Sequence, residues 1–320
     1  VSFNQSLHEW DVFSVTNMSS MFANAESFNE NISIWNVASL MDSSYMFYRA
    51  ISFNQPLHKW RSLTSLQNTN YMFFDACNFT LGYKKQVAYW RNLSSMITST
   101  DMFGGCFTPL DSSDLENAVD AWLNDTTDAE VEYGDIEYWD TSRILSMQEL
   151  FSIDRNAKAK DFNVDISRWN TSAVKDMSYM FYFAVSFNQI VETWNITSVT
   201  TMRGMFQGAT TFNRPINFWK IGSVRTMSFM FSSAHSFNQP LHLWDVSLVT
   251  SMMYMFYDAR QFNQQLCNWN VSSVITLRYM FSYATVFNQP LSNPTCYWNV
   301  SKVIDMSAMF YGAYKFNQPL

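Results

Sequence analysis

Two kinds of residue in this chain carry chemistry that a sequence can reveal: its four cysteines and its Asn-x-Ser/Thr triplets. Cysteines can close disulfides, and the triplets are acceptors for N-linked glycans. The cysteines are Cys77, Cys106, Cys267 and Cys296. The triplets begin at Asn4, Asn17, Asn31, Asn78, Asn92, Asn124, Asn170, Asn195, Asn270 and Asn299. Other site chemistry is poorly provided for. His8, His58, His235 and His242 share no slot in adjacent repeats and none pairs with cysteine at metal-ligand spacing, so they read as exposed corner residues. With only eight glycines there is no phosphate-cradling loop, and no Gly-x-Ser-x-Gly or Gly-x-Gly-x-x-Gly motif occurs. No catalytic residue, metal site or cofactor is predicted.

The elements that must position these residues are repeats. Phe237 opens FNQPLHLWDVSLVTSMMYMFYDA, and Phe187, Phe212 and Phe262 open near-copies at a period of 25 residues. A fixed period in this range marks a solenoid. Every Trp except Trp122 holds one slot: Trp10, Trp35, Trp60, Trp90, Trp139, Trp169, Trp194, Trp219, Trp244, Trp269 and Trp298. In the Phe237 unit the apolar slots are Leu241, Trp244, Val246, Val249, Met252, Met255, Phe256 and Ala259. Spacings of two and three, with β-branched valines, suggest extended segments. Pro215, Pro240, Pro290 and Pro319 put a corner at Phe-Asn-x-Pro, so a sheet is expected around Trp-x-Val-x-x-Val. A column of corner asparagines is expected to hydrogen-bond along the stack.

The fold class expected is therefore a β-rich repeat solenoid, leucine-rich-repeat-like, with parallel stacked 25-residue coils and one short helical insert. A first array covers 1–107, an acidic helical capping insert 108–133, and a second array 134–320. In the insert Leu115, Val119, Trp122 and Leu123 share a helical face, with Ser112 or Ser113 as N-cap.

The repeat register locates the chemistry. Cys267 and Cys296 each lie two residues before Trp, in successive coils, and Cys77 and Cys106 fall at nearly one slot. Parallel neighbours lie ~4.7–4.9 Å apart, and a disulfide needs Cα atoms ~4.4–6.8 Å apart. Both pairs, Cys77–Cys106 and Cys267–Cys296, are expected to close, which points to an oxidising compartment. Asn170, Asn195, Asn270 and Asn299 all follow Trp, so glycans there would form a row on one face.

Composition narrows the classes further. Aromatics make up 18% and charged residues 15%, which is too apolar for disorder. Of 27 acids, 11 lie between positions 111 and 140, where Lys and Arg are absent; elsewhere 16 acids face 20 bases. No basic stripe for nucleic acid is present. The insert's acids match no calcium loop and read as a solvated helix face. No apolar run reaches the ~18 residues of a membrane span. The chain starts at VSFNQSL and stops at YKFNQPL, both inside repeats, and reads as a segment of a longer chain with any targeting sequence upstream.

The combination of FNQPL, Trp-Asp/Asn-Val-Ser and Met-Phe-x-x-Ala resembles the 25- or 26-residue repeat of BspA-like leucine-rich-repeat surface proteins, formerly a domain of unknown function. The stretch AVDAWL, YGDI, WDTS also resembles the module that often starts such arrays, which implies two fused arrays. The resemblance implies a secreted or surface-displayed solenoid used for adhesion or cell-surface architecture, with no catalytic residues; the triplets would make it a glycoprotein in a eukaryotic source. Two functions are expected on this basis. One is a structural subunit of a surface filament, appendage or cell-surface layer, assembling with itself head-to-tail or laterally. The alternative is an adhesin that binds a host protein or glycan through one face, with Tyr48, Tyr254 and Tyr257 as candidate contacts.

Overall fold

The structure is a computed structural model that describes residues 3–60, 63–93, 97–293 and 296–319, and excludes the side chains of 91, 92, 293, 296 and 297. Two compact units form. The first is Val1–Thr108 with Asp125–Asp140; the second is Pro109–Asn124 with Thr141–Leu320. The acidic insert is thus divided between them.

Each unit is built from stacked coils whose apolar slots point inward. Phe237, Leu241, Trp244, Val246, Val249, Met252, Met255, Phe256 and Ala259 are all buried. Identical residues stack coil on coil. Phe237 and Phe262 lie 6.0 Å apart at 5°, and Trp244 and Trp269 lie 6.3 Å apart at 2°. Within a coil Phe231 packs on Phe237 at 3.9 Å. The indole N–H would be orphaned in such a core. Instead Trp244 Nε1 donates to the Ile216 carbonyl at 3.0 Å, and Trp269 Nε1 donates to the Leu241 carbonyl at 3.0 Å. At the corner, each asparagine Oδ1 accepts the backbone N–H of the next corner asparagine. Asn238 N–H donates to Asn213 Oδ1 at 2.9 Å, and Asn263 N–H to Asn238 Oδ1 at 3.0 Å.

The β-rich solenoid expected from the sequence is not what forms. Among the described residues the only strands are β1 (Ser292–Asn293) and β2 (Cys296–Tyr297), one short antiparallel pair. Elsewhere neighbouring coils meet through single parallel bridges, such as Thr226↔Ser251 and Ser251↔Thr276. The predicted sheet at Trp-x-Val-x-x-Val is a tight turn, closed by Val249 N–H on the Val246 carbonyl at 2.9 Å.

The backbone between Met252 and Asp258 shows why strands fail. Alternate N–H groups, of Met252, Tyr254, Phe256 and Asp258, donate to carbonyls of Thr276, Arg278, Met280 and Ser282 in the next coil. The N–H groups between them fold back, Met255 onto Met252 and Tyr257 onto Tyr254. This requires left-handed backbone at Tyr254 (φ 57°) and Asp258 (φ 53°). The coil is therefore a chain of tight turns that still carries a ladder. Left-handed L-residues cost about 1–2 kcal/mol each, and the inter-coil hydrogen bonds made by the same N–H groups offset that cost. Apolar spacings of two and three fit this turn chain as well as a strand, so periodicity alone could not separate them.

The single expected helical insert is also corrected. Among the described residues three α-helices form: α1 (Leu81–Ala88), α2 (Ser112–Asn124) and α3 (Thr126–Tyr133). α2 buries Leu115, Ala118 and Val119. Asp111, not Ser112 or Ser113, takes the capping role, since its Oδ1 accepts the Asp114 N–H at 2.9 Å. Ser112 is already helical, and its hydroxyl donates to the Ser146 carbonyl at 2.7 Å. α3 is capped by Asp125 and ends at Gly134 (φ 77°), where an added Cβ would meet the Phe103 carbonyl oxygen at 2.8 Å.

Candidate binding surface

The left-handed slot before Met-Phe recurs in every coil, and its side chain lies outside the core columns. Its occupants are Ser20, Tyr45, Tyr71 and Asp101 in the first unit, and Glu149, Tyr179, Gly204, Phe229, Tyr254, Tyr279 and Ala308 in the second. Where they are aromatic, they stack into an outer column. Tyr45 and Tyr71 lie 4.9 Å apart, Phe229 and Tyr254 4.8 Å, and Tyr254 and Tyr279 4.6 Å, all near parallel. The expected contacts fall in or beside this column. Tyr254 is a rung, Tyr257 leans on it at 5.4 Å, and Tyr48 stacks on Phe74 at 5.6 Å. All three are half-buried, not isolated on the surface.

The column in the second unit is broken at Gly204. A Cβ there would come within 2.3 Å of the Tyr179 ring, so only glycine fits beneath that ring. The missing rung is supplied by Arg203. Its guanidinium lies 5.9 Å from the Tyr179 centroid and 5.2 Å from the Phe229 centroid, and its Nε donates to Tyr179 Oη at 2.7 Å. Beside this break opens a cleft of about 290 Å³ lined by Glu149, Ser152, Asp154, Tyr179, Tyr182, Gln207 and Phe229. Neither Arg203 nor Glu149 belongs to a motif. The readable signal is a glycine in a slot that the coils on either side fill with rings, Tyr179 and Phe229.

The expected disulfide Cys77–Cys106 is present in the first unit, with Cα atoms 5.2 Å apart. It joins successive coils, whose backbones also meet where Asp75 N–H donates to the Gly104 carbonyl at 2.9 Å. The Cys267–Cys296 pairing falls outside the described residues. Among the described residues one group of three metal-ligating atoms comes together, Asp75, Cys77 and Cys106, and both sulfurs are in the disulfide.

Asn4, Asn17, Asn31, Asn78, Asn124, Asn170, Asn195, Asn270 and Asn299 are all exposed; the Asn92 side chain lies outside the described residues. Most of these asparagines hold a turn. Asn170, Asn195, Asn270 and Asn299 each accept, through Oδ1, the backbone N–H two residues on. Asp245 makes the same turn in the slot with Ser247. Such side-chain turns suit Asn and Asp, with Ser or Thr following, so the turn accounts for the triplets whether or not they carry sugar. His235 is not an exposed corner residue: it is half-buried and bonded to Asp258 at 2.9 Å.

One acid in the first unit is strongly perturbed. Burial pushes the Asp135 carboxyl up to about 7, opposed by the Glu137 N–H it accepts, and the hydrogen bond and charge of Asp101 and the charge of Glu130 raise it further. Tyr138 Oη also donates to Asp101 at 3.4 Å, so the group is linked to the coil. An unfolded aspartate titrates near ~3.9. A raised folded value means that the contribution is full below that point and is lost as pH climbs through about 7. Partial exposure screens the effect to on the order of 1 kcal/mol. Urea unfolding of the wild-type chain is expected to show the first unit weakening as pH rises from ~4 to about 7 and levelling off above that, with Asp135→Asn flattening the slope. An equal slope in the variant would contradict this assignment.

Among the described residues no helix is long and apolar enough to cross a membrane. A family model described as "Mycoplasma protein of unknown function, DUF285" matches residues 1–117, 117–243 and 237–320. No curated protein and no solved structure matches the chain.

Proposed function

The chain belongs to the DUF285 family, and from that premise we propose that it is a non-catalytic extracellular binding protein, an adhesin of the BspA-like kind. The observation that carries this reading is the outer aromatic column, Phe229, Tyr254 and Tyr279, with the cleft beside it. Stacked half-buried rings offer rigid contact area at small entropy cost, which is what binding hot spots use. The Cys77–Cys106 disulfide supports an oxidising, extracellular setting. The exposed triplet asparagines would carry glycans in a eukaryotic source. Self-assembly into a surface filament rests on the repeat alone, whereas the column favours binding.

The test is purified chain on arrays of extracellular-matrix proteins and of glycans. Wild type is expected to bind a subset, and Tyr254→Ala/Tyr279→Ala to lose about tenfold or more in affinity, the loss of two aromatic anchors. No binding on either array, or an unaffected double variant, would sink the reading.

A further inference from the structure

The cleft at Gly204 has a composition that points to one ligand chemistry. Tyr179 and Tyr182, both in the cleft lining, pack edge to face at 86° with centroids 5.6 Å apart. Phe229 closes one end, and Glu149 and Asp154 also line the cleft with Gln207. Among the described residues neither Glu149 nor Asp154 makes an ion pair. The nearest candidate cation in sequence, Arg155, is already held by Glu116 at 2.8 Å and Asp120 at 2.7 Å. Two carboxylates beside electron-rich ring faces are an unbalanced charge that a cation would neutralise. The rings already accept one cation, since the Arg203 guanidinium spans Tyr179 and Phe229.

We propose that this cleft takes the ammonium end of a lysine side chain presented by a partner protein. The proposal rests on the binding reading above and names the chemistry of one contact. The choice of ammonium follows from the lining. Glu149 and Asp154 put two separate carboxylates into the lining beside the Gln207 amide, and among the described residues Glu149 Oε1 takes only the Gln148 amide at 3.4 Å; acceptors set apart in this way match the spread donors of an ammonium group better than the flat fork of a guanidinium. A four-carbon stem would lie along the Tyr179 and Tyr182 faces, as lysine stems do on apolar surface. Tyr182 stays a neutral phenol, its hydroxyl held upward by burial and then by the charges of Asp154 and Tyr179. Arg203 puts a positive charge on two of the lining rings, and it sets a limit on affinity.

The experiment uses the full chain and a labelled Gly/Ser peptide with one central lysine, beside the same peptide carrying norleucine. The lysine peptide is expected to bind about tenfold tighter, the size of one good cation–ring and carboxylate contact. Glu149→Gln/Asp154→Asn should bring it to the norleucine level with an unchanged melting temperature. Arg203→Gln should raise affinity about twofold by removing like charge. n-Butylammonium should compete and methyl glycosides should not. Equal binding of the two peptides, no binding of either, an unaffected double variant, or competition by glycosides in place of butylammonium would overturn the inference. If the peptides fail while Tyr254→Ala/Tyr279→Ala still loses array binding, only the cleft inference falls. The converse pattern removes only the aromatic-column reading.

Discussion

Trp244→Ala is expected to destabilise the second unit by about 3–5 kcal/mol, the usual cost of deleting a fully packed large aromatic. Three losses coincide. The indole leaves a cavity between two coils, because Trp244 is buried and stacked on Trp269. Its contact with Phe231 at 6.3 Å goes as well. The Nε1–H bond to the Ile216 carbonyl at 3.0 Å is lost too, although that carbonyl keeps the Trp219 N–H at 3.2 Å. Trp244→Phe separates these terms. A phenyl ring keeps part of the stack but cannot donate, and should cost about 1–2 kcal/mol for the unmade bond, besides some packing. Trp90 provides the comparison. It is buried and stacked on Trp60 at 6.0 Å, yet among the described residues its Nε1 has no hydrogen-bond partner. Trp90→Phe should therefore cost less than Trp244→Phe. Denaturant unfolding followed by circular dichroism reads all three. A Trp244→Ala loss below about 1 kcal/mol would mean that the column is not what holds adjacent coils together.

Removing the Cys77–Cys106 bond is the second large effect. The bond closes a separation of 29 residues. Loop-closure reasoning puts its contribution at about 3–4 kcal/mol for that length, on a model that attributes the gain to a constrained unfolded chain. The loss should fall on the first unit, whose coils between positions 68 and 107 are the least regular. α1 interrupts them, and the Trp90 slot lacks its indole hydrogen bond. The Cys77→Ala/Cys106→Ala variant tests this without disturbing other cysteines. The expected result is an early unfolding step assigned to the first unit, with the second unit's midpoint unmoved. A single transition at the wild-type position would refute it.

The repeat register, the inward slots and the Asn column were legible because each rests on identity between residues one period apart. Stacking forces like onto like, so a column in space is a period in sequence. What the sequence could not display is backbone handedness. The slot at Tyr254 is left-handed, but ten of its eleven occupants are not glycine, and tyrosine gives no hint of a positive φ. Hence in sequence the turns look like strands, and the outer column like scattered tyrosines. Gly204 was the exposed clue. α1 was missed for another reason: LGYKKQVA has almost no apolar face, and it forms because Val87 and Lys84 are buried against the coils. The cleft residues are not legible in the sequence because Glu149, Gln207 and Phe229 come from three different coils, Glu149 and Phe229 in one slot and Gln207 three residues beyond it.

The turn ladder has a consequence for how such a gene can change. Donors of one coil meet acceptors of the next through backbone atoms alone, from Met252, Tyr254, Phe256 and Asp258 onward. Gain or loss of a whole 25-residue coil by unequal crossing-over would rejoin matching edges. The core would close again, and the outer column would lengthen or shorten by one rung. Point changes in the left-handed slot, which already tolerates Ser, Tyr, Asp, Glu, Gly, Phe and Ala, would re-letter that column without redesigning the scaffold. Reach and recognition can thus drift independently in a lineage under pressure from a changing partner.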